Sequence, residues 1–213
     1  MYRPVPYRED DCATLLAMIH EQSFATLVSS TEGAPLATHL PLIADSDADG
    51  ARLIGHMARA NPHWRQLADG QPVLAVFLGP HAYVSPRWYP DEPDVPTWNY
   101  AAVHVHARWR RVRDWAGTRA LLERSVRHYE DAMRSPWSIA ELEEKLVTML
   151  QKGVVAFELP IQSLEGVRKM GQDKSHSDVK GVVTGLRNDA GAGQHRDDVA
   201  TAMESIAAEK REP

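Results

Sequence analysis

The sequence predicts a fold of the α+β class that is mainly β: a β-barrel with flanking helices. Strand-like runs follow one another closely between residues 24 and 112, joined mostly by short turns and with no long helix among them. Several closely spaced strands of this kind are typical of a barrel. Helical periodicity then dominates from residue 114, and one further strand-like run at 154–159 comes late enough to close the sheet.

Composition narrows the class of protein. The chain has 213 residues, of which 43% are hydrophobic, enough for one sizeable core or a core with an appendage. A net charge of -5 argues against a surface built mainly to bind nucleic-acid phosphates. Cys12 is the only cysteine, so no internal disulfide is possible. Neither a signal peptide nor a membrane-spanning run is recognisable, and we expect a soluble cytoplasmic protein without membrane contact.

The first strands are short and separated by turn residues. Residues 24–30, 36–43 and 52–57 are rich in β-forming and apolar side chains. Glu32-Gly33 is a turn signal, and the polar loop at 45–50 is typical of a hairpin connection. These runs therefore predict three neighbouring strands.

The next elements complete the barrel and add helices. Residues 72–78 are nearly all apolar, which predicts a strand buried on both faces, and residues 97–112 alternate as in a long strand. Asp114 is placed to open a helix, and Ser138 and Glu141 form a capping box. We expect a barrel domain over 1–187 with a helical insert at about 114–150, followed by a flexible tail over 188–213.

A strand-to-helix corner offers the first candidate ligand site. Asn61 is a good N-cap and Pro62 suits the first helical position, directly after the strand at 52–57. The free N–H groups of a helix start attract anions, and Arg59 can bind a phosphate bidentately. The corner therefore predicts a phosphate clamp, and the alternative is a structural corner with a solvated arginine.

Polar side chains within the strands suggest a planar ligand. Trp98 and Tyr100 could flank a ring, and the amide of Asn99 can donate and accept. Backbone groups near Thr38 and Met57 could meet the polar edge of a heteroaromatic ring. A ring with a phosphate tail describes FMN or a similar nucleotide. Core packing is the alternative role of Trp98 and Tyr100.

The ten histidines raise a metal or haem site as another possibility. His104 and His106 share one face of a predicted strand, but no motif with zinc-ligand spacing is present. We therefore predict no metal site. Nucleotide-binding loops of the Walker and dinucleotide types are also absent from the sequence.

Four motifs together resemble the PaiB family, described as FMN-binding negative transcriptional regulators or protease synthase and sporulation negative regulatory proteins. They are Ala-Thr-His-Leu-Pro at 37–41, Gly-His-Met-Ala-Arg-Ala-Asn-Pro-His-Trp at 55–64, Gly-Pro-His-Ala-Tyr-Val-Ser-Pro-Arg-Trp-Tyr at 79–89, and Val-Pro-Thr-Trp-Asn-Tyr-Ala-Ala-Val-His-Val at 95–105. The resemblance spans about residues 1–186. It implies an FMN-binding split β-barrel, usually a homodimer with flavin sites at the subunit interface.

The resemblance also implies a set of cofactor-binding residues. Arg59 would hold the phosphate, and Trp98 and Asn99 would belong to the dimer-related wall. With the residues inferred above, the predicted FMN site comprises Thr38, His39, Leu40, Pro41, His56, Met57, Ala58, Arg59, Asn61, Trp98, Asn99 and Tyr100. The segment at 169–174 departs from the family pattern at Gly171 and Asp173, so the roles of Gln172 and Lys174 toward the ligand stay open.

Three functions remain open at this point. A PaiB-type regulator would act through DNA or a protein partner. A flavin-dependent oxidoreductase using NAD(P)H is the main alternative, with His39, His56 and Tyr100 as candidate proton donors that no spacing marks as catalytic. A haem-binding or haem-degrading barrel is a more distant alternative, supported only by the histidines.

Overall fold

The fold comes from a computed structural model that describes residues 1–30, 34–47, 50–91, 94–189, 191, 193 and 195–209. The strands are β1 Arg8–Glu9, β2 Phe24–Ser29, β3 Leu36–Asp47, β4 Gly50–Ala58, β5 Pro72–Val84, β6 Thr97–Arg108, β7 Arg110–Arg111 and β8 Val154–Lys169. The helices are α1 Cys12–Glu21, α2 Trp115–Glu130, α3 Glu144–Lys152, α4 His176–Asn188 and α5 Arg196–Glu209. The predicted turn at Glu32-Gly33 and part of the predicted loop at 45–50 lie outside the described residues.

The strands close into a barrel. They hydrogen-bond in the order β1-β8-β4-β3-β2-β5-β6, and β8 also pairs with β6. Six strands therefore form a closed ring, while β1 and β7 pair with β8 outside it. The predicted mainly β barrel of the α+β class, with flanking helices, is confirmed. No helix in the described part of the chain is long and apolar enough to cross a membrane.

The chain divides into two compact units. The first comprises Met1–Leu15, Leu78–Val103 and Glu165–Pro213, and the second comprises Leu16–Phe77 and His104–Leu164. The second unit contains the pairing of β3 with β2 and β4, and also α2 and α3. Its interior includes Trp109 stacked on Phe157, with ring centroids 4.4 Å apart. Leu121 of α2 packs against a small cluster formed by Ile43, Ile54 and Ala156.

The predicted helix starts in the second unit are present, with one change. The side chain of Asp114 caps α2 by accepting from the Gly117 N–H at 2.6 Å. Ser138 and Glu141 form the predicted capping box, but it opens only the 3₁₀ turn Ile139–Glu141. The α-helix that follows, α3, begins at Glu144.

The strand predicted over residues 72–78 differs from the expectation in two ways. It is the first half of the longer strand β5, which continues to Val84. Val73, Ala75 and Phe77 are buried, while the residues between them are only partly covered. The prediction of burial on both faces was therefore wrong. An apolar run alone does not reveal that only one face of a strand is fully covered.

The first unit ends in a pair of packed helices. Ser175 caps α4 by accepting from the Asp178 N–H at 3.1 Å, and α4 packs on α5. Val199, Met203 and Ile206 of α5 are buried because they recur at helical spacing. The segment 188–213, predicted as a flexible tail, thus includes helix α5, while its flexibility and the domain division at 187 stay predictions.

Candidate functional site

The candidate site lies where strands β3 and β4 separate. The first half of β3, up to Pro41, pairs with β2, and the second half, from Leu42 onward, pairs with β4. The described β3–β4 ladder ends at the pair Leu42 and Gly55. Pro41 has no N–H to continue a ladder, and the Leu42 N–H instead donates to the Ser23 carbonyl at 2.8 Å. Beyond Gly55, β4 runs on to Ala58 paired with β8.

This separation groups most of the predicted cofactor residues on two strand segments. The first segment carries Thr38, His39, Leu40 and Pro41, and the second carries His56, Met57 and Ala58, with Arg59 directly after it. Leu40 and Met57 are buried, and His39 is exposed. The His39 ring is within hydrogen-bond distance of the Thr26 hydroxyl, at 2.9 Å. Backbone groups rather than apolar side chains are therefore the natural contacts for a ligand here.

A buried histidine, His63, links the corner after β4 to strands β2 and β3. His63 is 2% exposed, and its two ring nitrogens lie 2.8 Å from the hydroxyls of Ser29 and Thr38. The Asn61 side chain donates to the Thr38 hydroxyl at 3.3 Å and accepts from the His63 N–H at 2.9 Å. Burial lowers the pKa of His63, so its imidazole is neutral at pH 7 and offers one donor and one acceptor. The side chains of Thr38 and Asn61 thus stabilise the corner through hydrogen bonds.

The helix predicted after Asn61 is shorter and of another type. Asn61 caps it and Pro62 occupies its first position, as predicted, but Pro62–Gln66 is a 3₁₀ helix of five residues. So short a helix has little of the dipole that attracts anions to a long helix start. The predicted capped helix is therefore present, but as a short 3₁₀ helix, and a phosphate contact through Asn61 stays a prediction.

Arg59 is placed by contacts with the end of α3. Its guanidinium donates through Nε to the Lys152 carbonyl at 2.6 Å and through Nη2 to the Val154 carbonyl at 2.7 Å. Its carbonyl accepts from the indole N–H of Trp64 at 3.0 Å. A cation beside the last carbonyls of a helix is favourable because those carbonyls carry partial negative charge. The Arg59 side chain is therefore held rather than freely solvated.

Arg59 also lines a basic recess that sequence reasoning missed. The recess has a volume of 400 Å³, and its other cationic side chains are Arg111, Arg113 and Lys152. No carboxylate is among its described lining residues. The Arg111 guanidinium lies over the Trp64 ring, 4.8 Å from its centroid, and its Nε is buried without a hydrogen-bond partner in the described part of the chain. Because Arg113 is paired with Asp69 at 2.5 Å, an anion in the recess would interact chiefly with Arg59, Arg111 and Lys152.

The sequence contained part of the signal for this recess. Arg108, Arg110, Arg111 and Arg113 form a cluster that alternation divides between two faces of an extended chain. The structure separates them further: Arg110 pairs with Glu158 at 2.5 Å, while Arg111 and Arg113 line the recess. Lys152 joins them only because α3 ends there, which short-range sequence patterns do not reveal.

The remaining predicted residues lie in the first unit. The Trp98 ring is half exposed and lies beside Tyr83, with centroids 6.2 Å apart, and Tyr100 is half-buried. Asn99, by contrast, is 3% exposed, and its amide donates to the sulfur of Met203 at 3.3 Å. Asn99 therefore faces the packed interior of this unit, which disfavours the wall role that the resemblance implied for it.

The two residues left open near the C-terminus have partners of their own. Gln172 donates to the Arg168 carbonyl and accepts from the Met170 N–H at 2.8 Å. Lys174 pairs with Asp94 at 2.5 Å and with Asp173 at 3.3 Å, and the hydrogen bond to Asp94 raises its pKa.

The arrangement of metal-ligating residue types is a separate feature of the chain. No group of three or more His, Cys, Asp or Glu residues in the described ranges is arranged to hold a metal ion.

Comparison with known proteins adds independent information. A family model described as "Putative FMN-binding domain" matches residues 1–163. Over 198 residues the chain is 32% identical to "Protease synthase and sporulation protein PAI 2" of Bacillus subtilis (strain 168), covering 89% of this chain and 90% of that protein. An uncharacterised protein of Emericella nidulans, AN0679, is 27% identical over 228 residues, covering 88% and 91%.

Solved structures agree on the fold. The FAD and heme binding protein from Mycobacterium smegmatis superposes with a TM-score of 0.61 at 17% identity, covering 82% of this chain and 79% of that one. The flavocytochrome Anf3 from Azotobacter vinelandii gives a TM-score of 0.59 at 15% identity, covering 88% and 78%. At these identities the likeness shows the fold alone. With the family match and the Bacillus relative, it establishes that the chain belongs to the PaiB family of FMN-binding split-barrel proteins.

Proposed function

We propose that this chain is an FMN-dependent regulator of the PaiB type that binds its cofactor where β3 and β4 separate. The observation that carries the proposal is the basic recess beside the end of β4, with Arg59 at its edge and with Arg111, whose buried Nε has no partner among the described residues. A phosphate monoester suits that recess, because charge-assisted hydrogen bonds from guanidinium groups are the strongest available to it.

The residues present fit FMN. The phosphate would lie against Arg59, Arg111 and Lys152, and the polar edge of the ring would meet backbone groups of residues 38–41 and 56–58. By the family resemblance Trp98 would belong to the dimer-related wall, where its half-exposed ring suits stacking on a flavin, whereas the Asn99 amide is occupied. FMN, when bound, supplies a redox-active isoalloxazine, and the chain binds, orients and shields it.

The state of His56 favours a regulator over an efficient oxidoreductase. Burial lowers the pKa of His56, so this side chain is neutral at pH 7 and is a poor acid. His39 lies within hydrogen-bond distance of the Thr26 hydroxyl, and Tyr100 is half-buried. Of the three candidates, His56 is therefore disfavoured as a proton donor at neutral pH.

We expect slow reduction of bound FMN by NADH or NADPH. In stopped-flow experiments on the FMN-loaded protein, the observed rate at saturating nucleotide should stay below about 1 per second, the lower end of ordinary enzyme turnover. Rapid, saturable reduction above that rate would favour the oxidoreductase.

The haem alternative has a test of its own. The absorption spectrum of protein purified without added cofactor tests it, because only haem gives an intense Soret band.

The arginines at 108–113 are a possible contact for DNA, but two of them are engaged within the protein. Arg110 pairs with Glu158, and Arg108 donates to the Gly70 carbonyl at 3.1 Å. With a net charge of -5, broad contact with DNA is unfavourable. We therefore propose that regulation proceeds through a protein partner or a narrow DNA contact.

A homodimer is part of the proposal. Large apolar side chains are exposed in both units, among them Phe24, Leu78, Trp98, Met133 and Met149. An isologous two-fold interface would cover such side chains and create two equivalent sites. Light scattering at micromolar concentration should therefore report twice the chain mass of 23.8 kDa. A monomer that still binds FMN tightly would contradict a site shared between subunits.

A further inference from the structure

A second cavity in the second unit differs in chemistry from the basic recess. It lies among α2, the 3₁₀ turn Ile139–Glu141 and α3, and its volume is 490 Å³, in the usual range for small-molecule sites. Its lining is mainly apolar and includes Leu122, Val126, Ile139, Leu142, Val147 and Leu150. A cavity with such walls favours an apolar occupant.

One polar side chain lining this cavity has a buried donor atom without a partner in the described part of the chain. Gln151 lines the cavity and is only 6% exposed, and its Nε2 has no hydrogen bond within the described residues. A buried amide donor without an acceptor is unfavourable, and structures rarely retain one without a reason. An acceptor supplied by a ligand would remove the penalty.

The other polar groups in the lining are already used or uncharged. The Tyr129 hydroxyl is within hydrogen-bond distance of Ser23, at 2.8 Å, and the Glu130 carboxylate accepts from the Trp137 N–H at 2.9 Å. His56, also in the lining, is neutral at pH 7 because burial lowers its pKa. The Glu130 carboxylate disfavours anions here, which distinguishes this cavity from the phosphate recess.

We propose that this cavity binds a small, uncharged, mainly apolar carbonyl compound through apolar contacts and through its carbonyl oxygen, which accepts a hydrogen bond from Gln151. The site is additional to FMN binding. His56 and Pro41 border it and also belong to the predicted flavin wall, so an occupant would lie next to the cofactor. Such a molecule would be an effector of the regulator or a redox partner of the flavin.

Two probes of matched shape test the proposal on the full chain free of FMN. The first is 2-acetylnaphthalene, and the second is 2-ethylnaphthalene, which has the same ring but no carbonyl. In equilibrium dialysis both should bind, and the ketone should bind about threefold to tenfold more tightly because it gains one neutral hydrogen bond. Gln151→Leu should remove this preference and keep the affinity for 2-ethylnaphthalene.

Two further variants locate the binding. Val126→Trp should fill the cavity and weaken both probes at least about tenfold, and Leu122→Phe serves the same purpose if that variant does not fold. Gln162→Leu is the matched control, because Gln162 is an exposed glutamine outside the cavity, and it should change neither affinity. Thermal unfolding of each variant identifies any that fail to fold, and Gln151→Met replaces Gln151→Leu if needed.

Three results would overturn the proposal: equal affinity of the wild type for the two probes, unchanged binding in the filled variants, or competitive displacement of the probes by riboflavin. Displacement by riboflavin would assign the cavity to the flavin ring itself. Titration of FMN alone tests the proposed function separately, so failure of one proposal is distinguishable from failure of the other.

Discussion

Replacing Trp109 by Ala is expected to lower the free energy of unfolding by about 3–5 kcal/mol, the usual cost of removing a large buried aromatic side chain. Trp109 is 1% exposed and stacks on Phe157. Its backbone is also fixed, because its carbonyl accepts from the Gly70 N–H and its N–H donates to the Gln71 carbonyl. Urea denaturation followed by circular dichroism measures the change.

Two companion variants separate burial from other effects. Trp115→Ala removes the same side chain from a position that is 54% exposed, and its cost should stay within about 0.5 kcal/mol. Trp109→Phe should cost less than Trp109→Ala, because it keeps most of the packing. It also removes an indole N–H that is buried without a hydrogen-bond partner in the described ranges. Equal losses for Trp109→Ala and Trp115→Ala would contradict the role of burial.

The packing around Trp109 supports the candidate site. Phe157, on which Trp109 stacks, lies next to Gly55, where β3 and β4 separate. A Cβ at Gly55 would come within 2.6 Å of the Leu42 side chain and 3.1 Å of the Phe157 ring. The interior is therefore filled directly behind the last β3–β4 pair. Close packing of this kind holds the backbone of residues 56–58 in one position, as ligand recognition by backbone groups requires.

Local patterns predicted the elements of this fold well. Alternation identified the long strand β6, although this strand ends at Arg108 rather than at residue 112, and the short polar side chains of Asp114 and Ser138 identified helix or turn starts. Each of these signals depends on residues within one turn or one strand. The family motifs then indicated the split barrel, which is a statement about the whole chain.

Long-range pairing could not be predicted from those patterns. The change of partner along β3 at Pro41 depends on how β2 and β4 are placed, and the Pro41 residue alone fits an edge or a bulge equally well. Lys152 and Arg111 are neighbours in the recess but 41 residues apart in sequence. The amide of Asn99 is buried because Met203 lies against it, and Met203 belongs to the segment that composition indicated as a tail.

Arg59→Ala is expected to weaken FMN binding about tenfold to a hundredfold, because a charge-assisted hydrogen bond contributes about 1.5–3 kcal/mol. The Arg59 side chain is held at the edge of the basic recess by the carbonyls of Lys152 and Val154. Titration of FMN into FMN-free protein, followed by quenching of flavin fluorescence, measures the affinity. Riboflavin, which lacks the phosphate, is titrated in parallel.

The ratio of the two affinities isolates the phosphate contact. Because Arg59 also anchors the end of α3, its loss could loosen the site and weaken both flavins alike, which leaves the ratio unchanged. A direct contact with phosphate predicts instead that Arg59→Ala weakens the binding of FMN and leaves the binding of riboflavin nearly unaffected.

Arg65→Ala is the matched control, since the Arg65 guanidinium lies over the Trp64 ring, 5.2 Å from its centroid, and is not among the recess residues. It should preserve the wild-type preference for FMN. An unchanged preference in Arg59→Ala would refute the phosphate contact and direct the search to Arg111 and Lys152.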